Sequence, residues 1–240
     1  MELYLAHTIE NDQIFLGEEE SHHCIQVMRH HIGDLLEVTD GRGKKFTASI
    51  INDNRRACVL EVVEVLETDP GSNTHIHLAI APTKNMDRFE WLLEKATEIG
   101  IDEITPIVCQ RSERSQIKSD RLNKLLVGAM KQSLRCWLPV LHQTIKFADF
   151  LRDKASSYSD DQENFKAIFH CQQKGLPLLK QIYQTKKKVL LLIGPEGDFT
   201  IEEIRLAEEK GFQALSLGEA RLRTETAGIV AIHTIQLLSN

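Results

Sequence analysis

The 240-residue sequence contains no long hydrophobic run and no closely spaced pair of cysteines. Its apolar stretches fall far short of the roughly 18 residues that suggest a membrane-spanning helix. The beginning, MELYLAHTIENDQ, carries an acid and lacks the basic segment and apolar core of a secretory signal. The five cysteines are scattered and odd in number (Cys24, Cys58, Cys109, Cys136 and Cys171). These absences predict free thiols in a reducing compartment, which indicates the cytoplasm, and no membrane partner.

Several motifs for nucleotide binding and hydrolysis are missing as well. The sequence has no G-x-x-x-x-G-K-[ST] P-loop, no G-x-G-x-x-G dinucleotide fingerprint and no G-x-S-x-G nucleophile elbow. His22 and His23 stand without Cys or His partners at the spacing of metal ligands. We therefore expect these histidines to pack or to lie on a polar surface, and we expect no metal site.

An overall basic excess is also lacking, since the formal net charge is -6. This balance argues against a nucleic-acid partner, because phosphate binding usually shows as positive charge. The stretch from Arg111 to Arg135 is nevertheless locally +5, with seven basic residues opposed only by Glu113 and Asp120. Two interpretations stay open for it, a solvated helix face or a surface that contacts phosphates.

The chain divides into a β-rich first part and a second part in which strands and helices alternate. The first part contains five short β-prone runs, ELYLA, QIFLG, LLEVTD, KFTASII and ACVLEVVEVLE, with a hairpin turn at Asp40–Gly43. This spacing predicts a small barrel. Asp69–Asn73 has the composition of a linker, so we predict domains at 1–70 and 74–240. After the linker, apolar runs without alternation predict an α/β domain built on a parallel sheet.

Two turns follow strands near the end of the chain. The first is IGPEG, where Thr200 and Glu203 form a T-x-x-E capping box that starts the next helix. The second is LGEARLRTETAG, in which Thr224 opens the last helix. Because ligands collect at the carboxyl ends of parallel strands, we expect the two turns to form one pocket. The negative Glu196 favours a neutral or cationic ligand over phosphate, although a plain strand-to-helix turn also explains the first motif.

Both turns resemble signature motifs of the SPOUT, or trefoil-knot, RNA methyltransferases. G-P-E-G followed by L-G-x-x-x-L-R-T-E-T-A is similar to the 16S ribosomal RNA uridine-N3 methyltransferase family in particular. Upstream, HHCIQVMRHHIGD and KNMDRFEWLLEKATEIGI also resemble segments of that family, as do QRSERS and AMKQSLR. The resemblance covers nearly the whole chain in the right order. Two departures stand out, since Asp198 replaces the second glycine of G-P-E-G-G-F, and Ala220-Arg221 replaces Arg-Ile.

The resemblance implies a C-terminal trefoil-knotted α/β domain, a PUA- or OB-like N-terminal barrel, and S-adenosylmethionine as cofactor. It implies methylation of N3 of a uridine, uracil 1498, in 16S rRNA of the small ribosomal subunit. The cofactor-binding residues would be Ile193, Gly194, Pro195, Glu196, Gly197, Leu217, Gly218, Leu222 and Thr224. Leu217 and Leu222 also suit simple core packing.

For catalysis, an arginine would stabilise the uracil anion, and a carboxylate could take its proton. Arg223 is the first candidate arginine and Arg221 the second, while Glu225 and Glu196 are the candidate bases. A helix N-terminal acid favoured by the helix dipole explains Glu225 equally well.

The resemblance further implies a homodimer that acts on rRNA. We expect RNA contacts from six basic residues, Arg29, Lys84, Arg88, Arg111, Arg114 and Arg135. Two other functions remain open. One is another knotted RNA methyltransferase acting on ribose 2′-O or a different base, and the other is an RNA-binding assembly factor without catalysis.

Overall fold

The structure is a computed structural model that describes residues 2–66, 73–155, 158 and 163–239. The chain forms two compact units, one of Met1–Gly71 and Val127–Leu138 and the other of Ser72–Leu126 and Pro139–Asn240. The expected linker lies almost wholly outside the described residues, so the boundary between 1–70 and 74–240 stays a prediction. No helix in the described part of the chain has the length and apolar character needed to cross a membrane.

The first unit contains the expected small barrel. Its strands are β1 (Leu3–Glu10), β2 (Gln13–Leu16), β3 (Leu35–Thr39), β4 (Lys45–Asn52) and β5 (Val59–Leu66). They close in the order β1-β2-β5-β4-β3, and a parallel β1–β3 pair completes the barrel. The stretch between β2 and β3 forms α1 (Glu18–His22) and a π-helical turn (His23–Val27).

The hairpin predicted between β3 and β4 is confirmed. The Asp40 Oδ1 atom accepts hydrogen bonds from the backbone N–H groups of Arg42 and Lys44 at 2.7 and 3.0 Å. Gly41 and Gly43 have φ angles of 68° and 100°, which favour glycine. Residues Val127–Leu138 belong to this unit, although the sequence division places them in the second domain.

The second unit is built on a parallel sheet of seven strands. These are β6 (His75–Ile80), β7 (Glu103–Val108), β8 (Val140–Leu141), β9 (Ile145–Lys146), β10 (Asn164–Phe169), β11 (Lys188–Ile193) and β12 (Gln213–Leu215). The order is β12-β10-β11-β6-β7-β8, with β9 also paired to β7. The expected α/β fold is confirmed, but β11 and β12 are not neighbours, because β10 lies between them.

Helices flank this sheet, and most follow the strand–helix alternation of the sequence. They are α2 (Met86–Ile99), α4 (Phe147–Asp153), α5 (Leu179–Ile182), α6 (Ile201–Glu209) and α7 (Thr224–Ser239). A further helix, α3 (Ser119–Gln132), includes residues of both units. The predicted C-cap of α2 is confirmed, since Gly100 has a φ of 107° and its N–H donates to the Ala96 carbonyl at 3.0 Å.

The last helix returns to the middle of the sheet and packs on α2 and β6. At Gly228 a Cβ atom would lie 2.9 Å from Leu92 Cδ1 and 3.2 Å from Ile80 Cδ1. This close approach requires glycine and places the beginning of α7 beside the carboxyl ends of the central strands. The turn that precedes α7 is thereby brought towards the turn that follows β11.

Candidate active site

The GPEG turn follows β11 and is compact for a steric reason. A Cβ atom at Gly194 would lie 3.0 Å from the Phe199 ring and 3.2 Å from the Phe199 backbone nitrogen. The Asp198 N–H donates to the Pro195 carbonyl at 2.9 Å, which closes the turn. Glycine at 194 therefore allows the chain to double back directly into α6.

The predicted capping box at the start of α6 is confirmed. The Glu203 N–H donates to Thr200 Oγ1 at 3.2 Å, and the Thr200 N–H donates to Glu203 Oε2 at 2.9 Å. Glu203 also forms a hydrogen bond that the motif does not predict. Its Oε1 accepts from the Gln110 N–H at 2.8 Å. This buried carboxylate thus joins the helix start to the loop after β7.

The surroundings of Asp198 explain why aspartate can replace the second glycine of the related motif. Its φ of 65° lies in the left-handed region, which Gly adopts freely and Asp tolerates better than most residues. Its carboxylate accepts hydrogen bonds from the Cys171 N–H at 2.9 Å, the Gln172 side chain at 3.1 Å and the Phe199 N–H at 2.8 Å. Asp198 therefore holds the turn against the end of β10.

The second turn follows β12 and meets the first through a hydrogen bond. Gly218 has a φ of 145°, and its N–H donates to Ser216 Oγ at 3.2 Å. Thr224 is buried, and its hydroxyl donates to the Gly194 carbonyl at 3.2 Å. One bond thus links the start of α7 to the GPEG turn, as expected for a pocket shared by the two turns.

A cavity of about 300 Å³ lies between the two turns and the end of β10. Eight of the nine candidate cofactor-binding residues line it, namely Ile193, Gly194, Pro195, Glu196, Leu217, Gly218, Leu222 and Thr224. Gly197 does not, because it packs against Arg111 and its carbonyl accepts a hydrogen bond from Arg111 Nη1 at 2.9 Å. The sequence analysis noted Asp198 and Ala220 only as departures from the motif, and it missed six other lining residues, namely Phe169, His170, Cys171, Leu215, Ser216 and Ala227.

The candidate catalytic residues fall into two groups. Arg221 and Arg223 line the cavity, and neither guanidinium forms a hydrogen bond or ion pair with any residue that the structure describes. Glu196 also lines it, but its Oε1 accepts a hydrogen bond from the Lys84 N–H at 2.9 Å. Glu225 lies outside the lining and is buried, with Oε1 3.9 Å from Arg88 Nε. The arginines are therefore available to a ligand, and the two carboxylates are at least partly engaged.

His170 forms part of the cavity wall at the end of β10. Burial lowers the pKa of its imidazole, so the ring is neutral at neutral pH. Its Nε2 atom is buried and has no hydrogen-bond partner within the described ranges. A neutral wall of this kind suits an uncharged, flat ligand group.

Four of the six candidate RNA-binding residues belong to the second unit, and three of them make hydrogen bonds or ion pairs there. Arg111 binds the Gly197 carbonyl, Arg114 Nη2 donates to the Lys84 carbonyl at 2.9 Å, and Lys84 Nζ pairs with Glu113 at 2.7 Å. These contacts give them a structural role beside the GPEG turn.

The other three candidates differ in their surroundings. Arg88 is the fourth candidate in the second unit and lies near Glu225. Arg29 and Arg135 belong to the first unit. Arg29 is exposed, with a φ of 61°, and Arg135 is half-buried. Contact with RNA stays a prediction for all six residues.

Family models match most of the chain. Residues 70–236 match the RNA methyltransferase domain, and residues 16–63 match the RNA methyltransferase PUA domain. Among solved structures, a probable rRNA-methyltransferase from Porphyromonas gingivalis is similar over 100% of this chain and 98% of its own, with 38% identity and a TM-score of 0.88.

Two further relatives extend this likeness. A ribosomal RNA small subunit methyltransferase E from Neisseria gonorrhoeae, bound to S-adenosyl methionine, is 27% identical, with a TM-score of 0.86 over 99% of this chain and 98% of its own. A curated protein of the same name from Rickettsia conorii is 27% identical over 96% of this chain and 92% of its own.

Proposed function

The chain belongs to the RNA methyltransferase family, and from this premise we propose that it methylates N3 of uracil 1498 in 16S rRNA with S-adenosylmethionine as the donor. The same-named relatives act on the small-subunit RNA, and one of them is bound to the donor. The proposal includes a homodimer in the cytoplasm as the working form. Support for the donor comes from the cavity between the two turns, whose size and lining fit an adenosyl group.

The residues present suit this cofactor chemically. Gly194, Leu217 and Gly218 line the cavity, and turns of this kind can offer backbone donors and acceptors to a ribose and an adenine. Glu196 adds negative charge at the rim, where a cationic sulfonium is favoured. When bound, the cofactor supplies an electrophilic methyl group that needs no metal.

Positioning and charge stabilisation are what the protein adds. Uracil N3 carries a proton at neutral pH, and removing it leaves negative charge on O2 and O4. A guanidinium beside those oxygens stabilises the anion. Arg223 is our candidate for this role and Arg221 the second, because both side chains line the cavity without a partner among the described residues.

The proton acceptor is a second part of the proposal. Glu196 is the better placed candidate, since it lines the cavity and keeps Oε2 free of any hydrogen bond recorded in the described residues. Glu225 lies at the first turn of α7, where the helix dipole favours an acid. A structural role therefore suits Glu225 better than proton transfer.

Calorimetric titration with S-adenosylmethionine tests the cofactor, and mass mapping of 16S rRNA from a deletion strain tests the target. We expect saturable binding with a rise in melting temperature, and the loss of one methyl group on uracil N3 in the deletion strain. Loss of a ribose methyl instead would make the protein a 2′-O methyltransferase. Absence of any heat or thermal shift would favour a binding factor without catalysis.

The RNA contacts need a separate test. Arg29→Ala should weaken binding to 16S rRNA fragments and leave cofactor affinity unchanged, because Arg29 belongs to the barrel unit and the cavity to the other. Arg55→Ala, at another exposed arginine of the barrel unit, is a matched control for lost charge. Equal losses of cofactor affinity and RNA affinity in Arg29→Ala would overturn its assignment as an RNA contact.

A further inference from the structure

A second cluster of functional side chains lies at the amino-terminal ends of the strands, in the second unit. His75 and His77 are the first and third residues of β6, and Glu103 is the first residue of β7. His77 and Glu103 are direct partners in the parallel register, and His142 follows the short strand β8. The cofactor cavity involves none of these residues.

Three potential ligand atoms converge in this cluster. His77, Glu103 and His142 each place one such atom within 4.8 Å of the other two. His142 Nε2 lies 2.6 Å from Glu103 Oε2, and His77 Nδ1 lies 3.9 Å from the same oxygen. Ligand atoms bound to one zinc ion at about 2.0–2.2 Å are roughly 3.3–3.5 Å apart in a tetrahedral site. Shifts of less than about 1 Å would therefore bring these three atoms around an ion.

Surrounding groups hold the three side chains in their present orientation. His77 Nε2 lies 2.7 Å from Thr105 Oγ1, so that Nδ1 is the nitrogen that faces Glu103. The second oxygen of Glu103 lies 2.8 Å from His75 Nε2. Outer partners of this kind fix ring orientation and strengthen ligands in metal sites.

Hydrogen bonds also connect the side chains of this cluster, and a bound ion would have to replace some of them. Glu103 can accept hydrogen bonds from His75 and His142, which accounts for both short contacts. His77 Nδ1 lies 3.9 Å from the carboxylate and forms a hydrogen bond with Tyr158 Oη at 3.2 Å, which an ion on Nδ1 would replace. The His77 residue is only 3% exposed, so its ring is held in place by the residues around it.

Access and ligand chemistry point to a particular class of ion. Glu103 and His142 keep side-chain exposures of 27% and 29%, so the cluster opens to solvent on one side. Two imidazoles and one carboxylate suit zinc and neighbouring divalent transition metals better than magnesium or calcium. We propose that His77 Nδ1, Glu103 Oε2 and His142 Nε2 form a binding site for a divalent transition-metal ion, with zinc as the best-matched ion.

The role that follows from the location is structural. The ion would join β6, β7 and the residue after β8, and β8 has only two residues paired to β7. The short edge strand is thus the element that gains most. Binding requires the hydrogen bond between His142 Nε2 and Glu103 Oε2 to break, because both atoms would bind the ion instead.

Zinc titration of the full chain, first dialysed against EDTA, tests the proposal. We expect one ion per chain by calorimetry and a rise in melting temperature. Cobalt(II) should give the visible absorption of a tetrahedral site without the intense ultraviolet band of thiolate ligation. The His142→Asn and Glu103→Gln variants should bind zinc about tenfold or more weakly. Their melting temperatures in EDTA report whether each variant folds.

A matched control separates this site from scattered surface binding. His233 is exposed and lies outside the cluster, so His233→Asn should retain the zinc response of the wild-type protein. Equal zinc affinity in His142→Asn and the wild type would overturn the site, as would the absence of any shift with zinc, cobalt or nickel in the wild type. The second result would leave a hydrogen-bond network as the explanation of the cluster.

Discussion

The two ends of the parallel sheet satisfy their polar groups in opposite ways. At the carboxyl ends, two glycine-containing turns and the end of β10 surround a cavity, and two arginines that line it have no partner among the described residues. At the amino ends, imidazoles and carboxylates of neighbouring strands bind one another at 2.6–2.8 Å. One end therefore forms a cavity that can hold an organic ligand, whereas at the other end the polar side chains contact one another directly.

The difference between the two ends follows from the direction in which the chain runs through the parallel strands. At the carboxyl ends of parallel strands the chain leads into the N-termini of helices, whose unpaired N–H groups are available for ligands. At the opposite edge the chain enters each strand, and side chains of adjacent strands come into register, as His77 and Glu103 do. Substitutions at the cavity should thus alter binding and turnover, whereas those in the supporting contacts should alter stability.

The largest effect is expected for Arg223→Ala. Removing a group that stabilises developing negative charge should lower methyl transfer by about 10²–10³-fold. Cofactor affinity and melting temperature should stay near the wild-type values, because the guanidinium has no partner within the described part of the chain. The readout is single-turnover methylation of an rRNA fragment with saturating donor.

Arg205→Ala is the matched control for Arg223→Ala. Arg205 is exposed on α6 and pairs only loosely with Glu209, at 3.4 Å. Its loss should change neither turnover nor stability by a measurable amount. If Arg223→Ala retained wild-type turnover, Arg223 would not take part in methyl transfer. The position of its unpaired guanidinium at the cavity would then need another explanation.

Gly194→Ala should have the next largest effect. The added methyl group meets the Phe199 ring at 3.0 Å and the Phe199 nitrogen at 3.2 Å, so the turn must open. We expect a loss of about 1–3 kcal/mol in the free energy of unfolding and weaker cofactor binding. Chemical denaturation and calorimetry measure the two quantities on the same sample.

Gly128→Ala is the corresponding control. Gly128 lies within α3, and its added Cβ meets nothing within 4 Å. Because alanine favours helix more than glycine does, this variant should be unchanged or more stable by up to about 1 kcal/mol. Similar losses in both variants would show that close packing at Gly194 is not what shapes the cavity.

Glu203→Gln examines the buried carboxylate that supports the open end. Glu203 accepts hydrogen bonds from Thr200 and Gln110, and an amide supplies one acceptor where the carboxylate supplies two. We expect a loss of about 1–2 kcal/mol in the free energy of unfolding, measured by denaturation. Glu202→Gln, at an exposed position of the same helix, should be neutral, and a comparable loss there would point to helix charge instead of these contacts.

Much of the fold can be predicted from the sequence, because local sequence patterns favour the helices and strands that the structure contains. The capping box at Thr200, the glycine after α2 and the uninterrupted apolar strands each specify their element without help from the rest of the chain. Strand order is different, since it depends on long-range packing that no local pattern records. For this reason the sequence indicated the two turns of the cavity but missed the end of β10 between them.

The sequence did not indicate some residues of the site for the same reason. His170 and Cys171 follow an apolar strand and carry no motif, so only their position beside β11 reveals them. The sequence does not reveal the histidine–glutamate cluster, because its members are scattered from residue 77 to residue 142. Metal-ligand motifs are short spacings, whereas the parallel register brings together side chains that are far apart along the chain.

The smallest effect is expected at Asp198, where two substitutions separate backbone strain from hydrogen bonding. Asp198→Gly relieves the φ of 65° but removes three accepted hydrogen bonds, so stability should change by less than about 1 kcal/mol. Asp198→Ala loses the same bonds and keeps the unfavourable conformation, so it should be less stable than the glycine variant by about 1 kcal/mol. Both should weaken cofactor binding equally, because both release the end of β10. If the glycine variant bound the cofactor as well as the wild type, the hydrogen bonds of the Asp198 carboxylate would contribute nothing to cofactor binding. Side-chain contacts would then matter less at this end of the sheet than we infer.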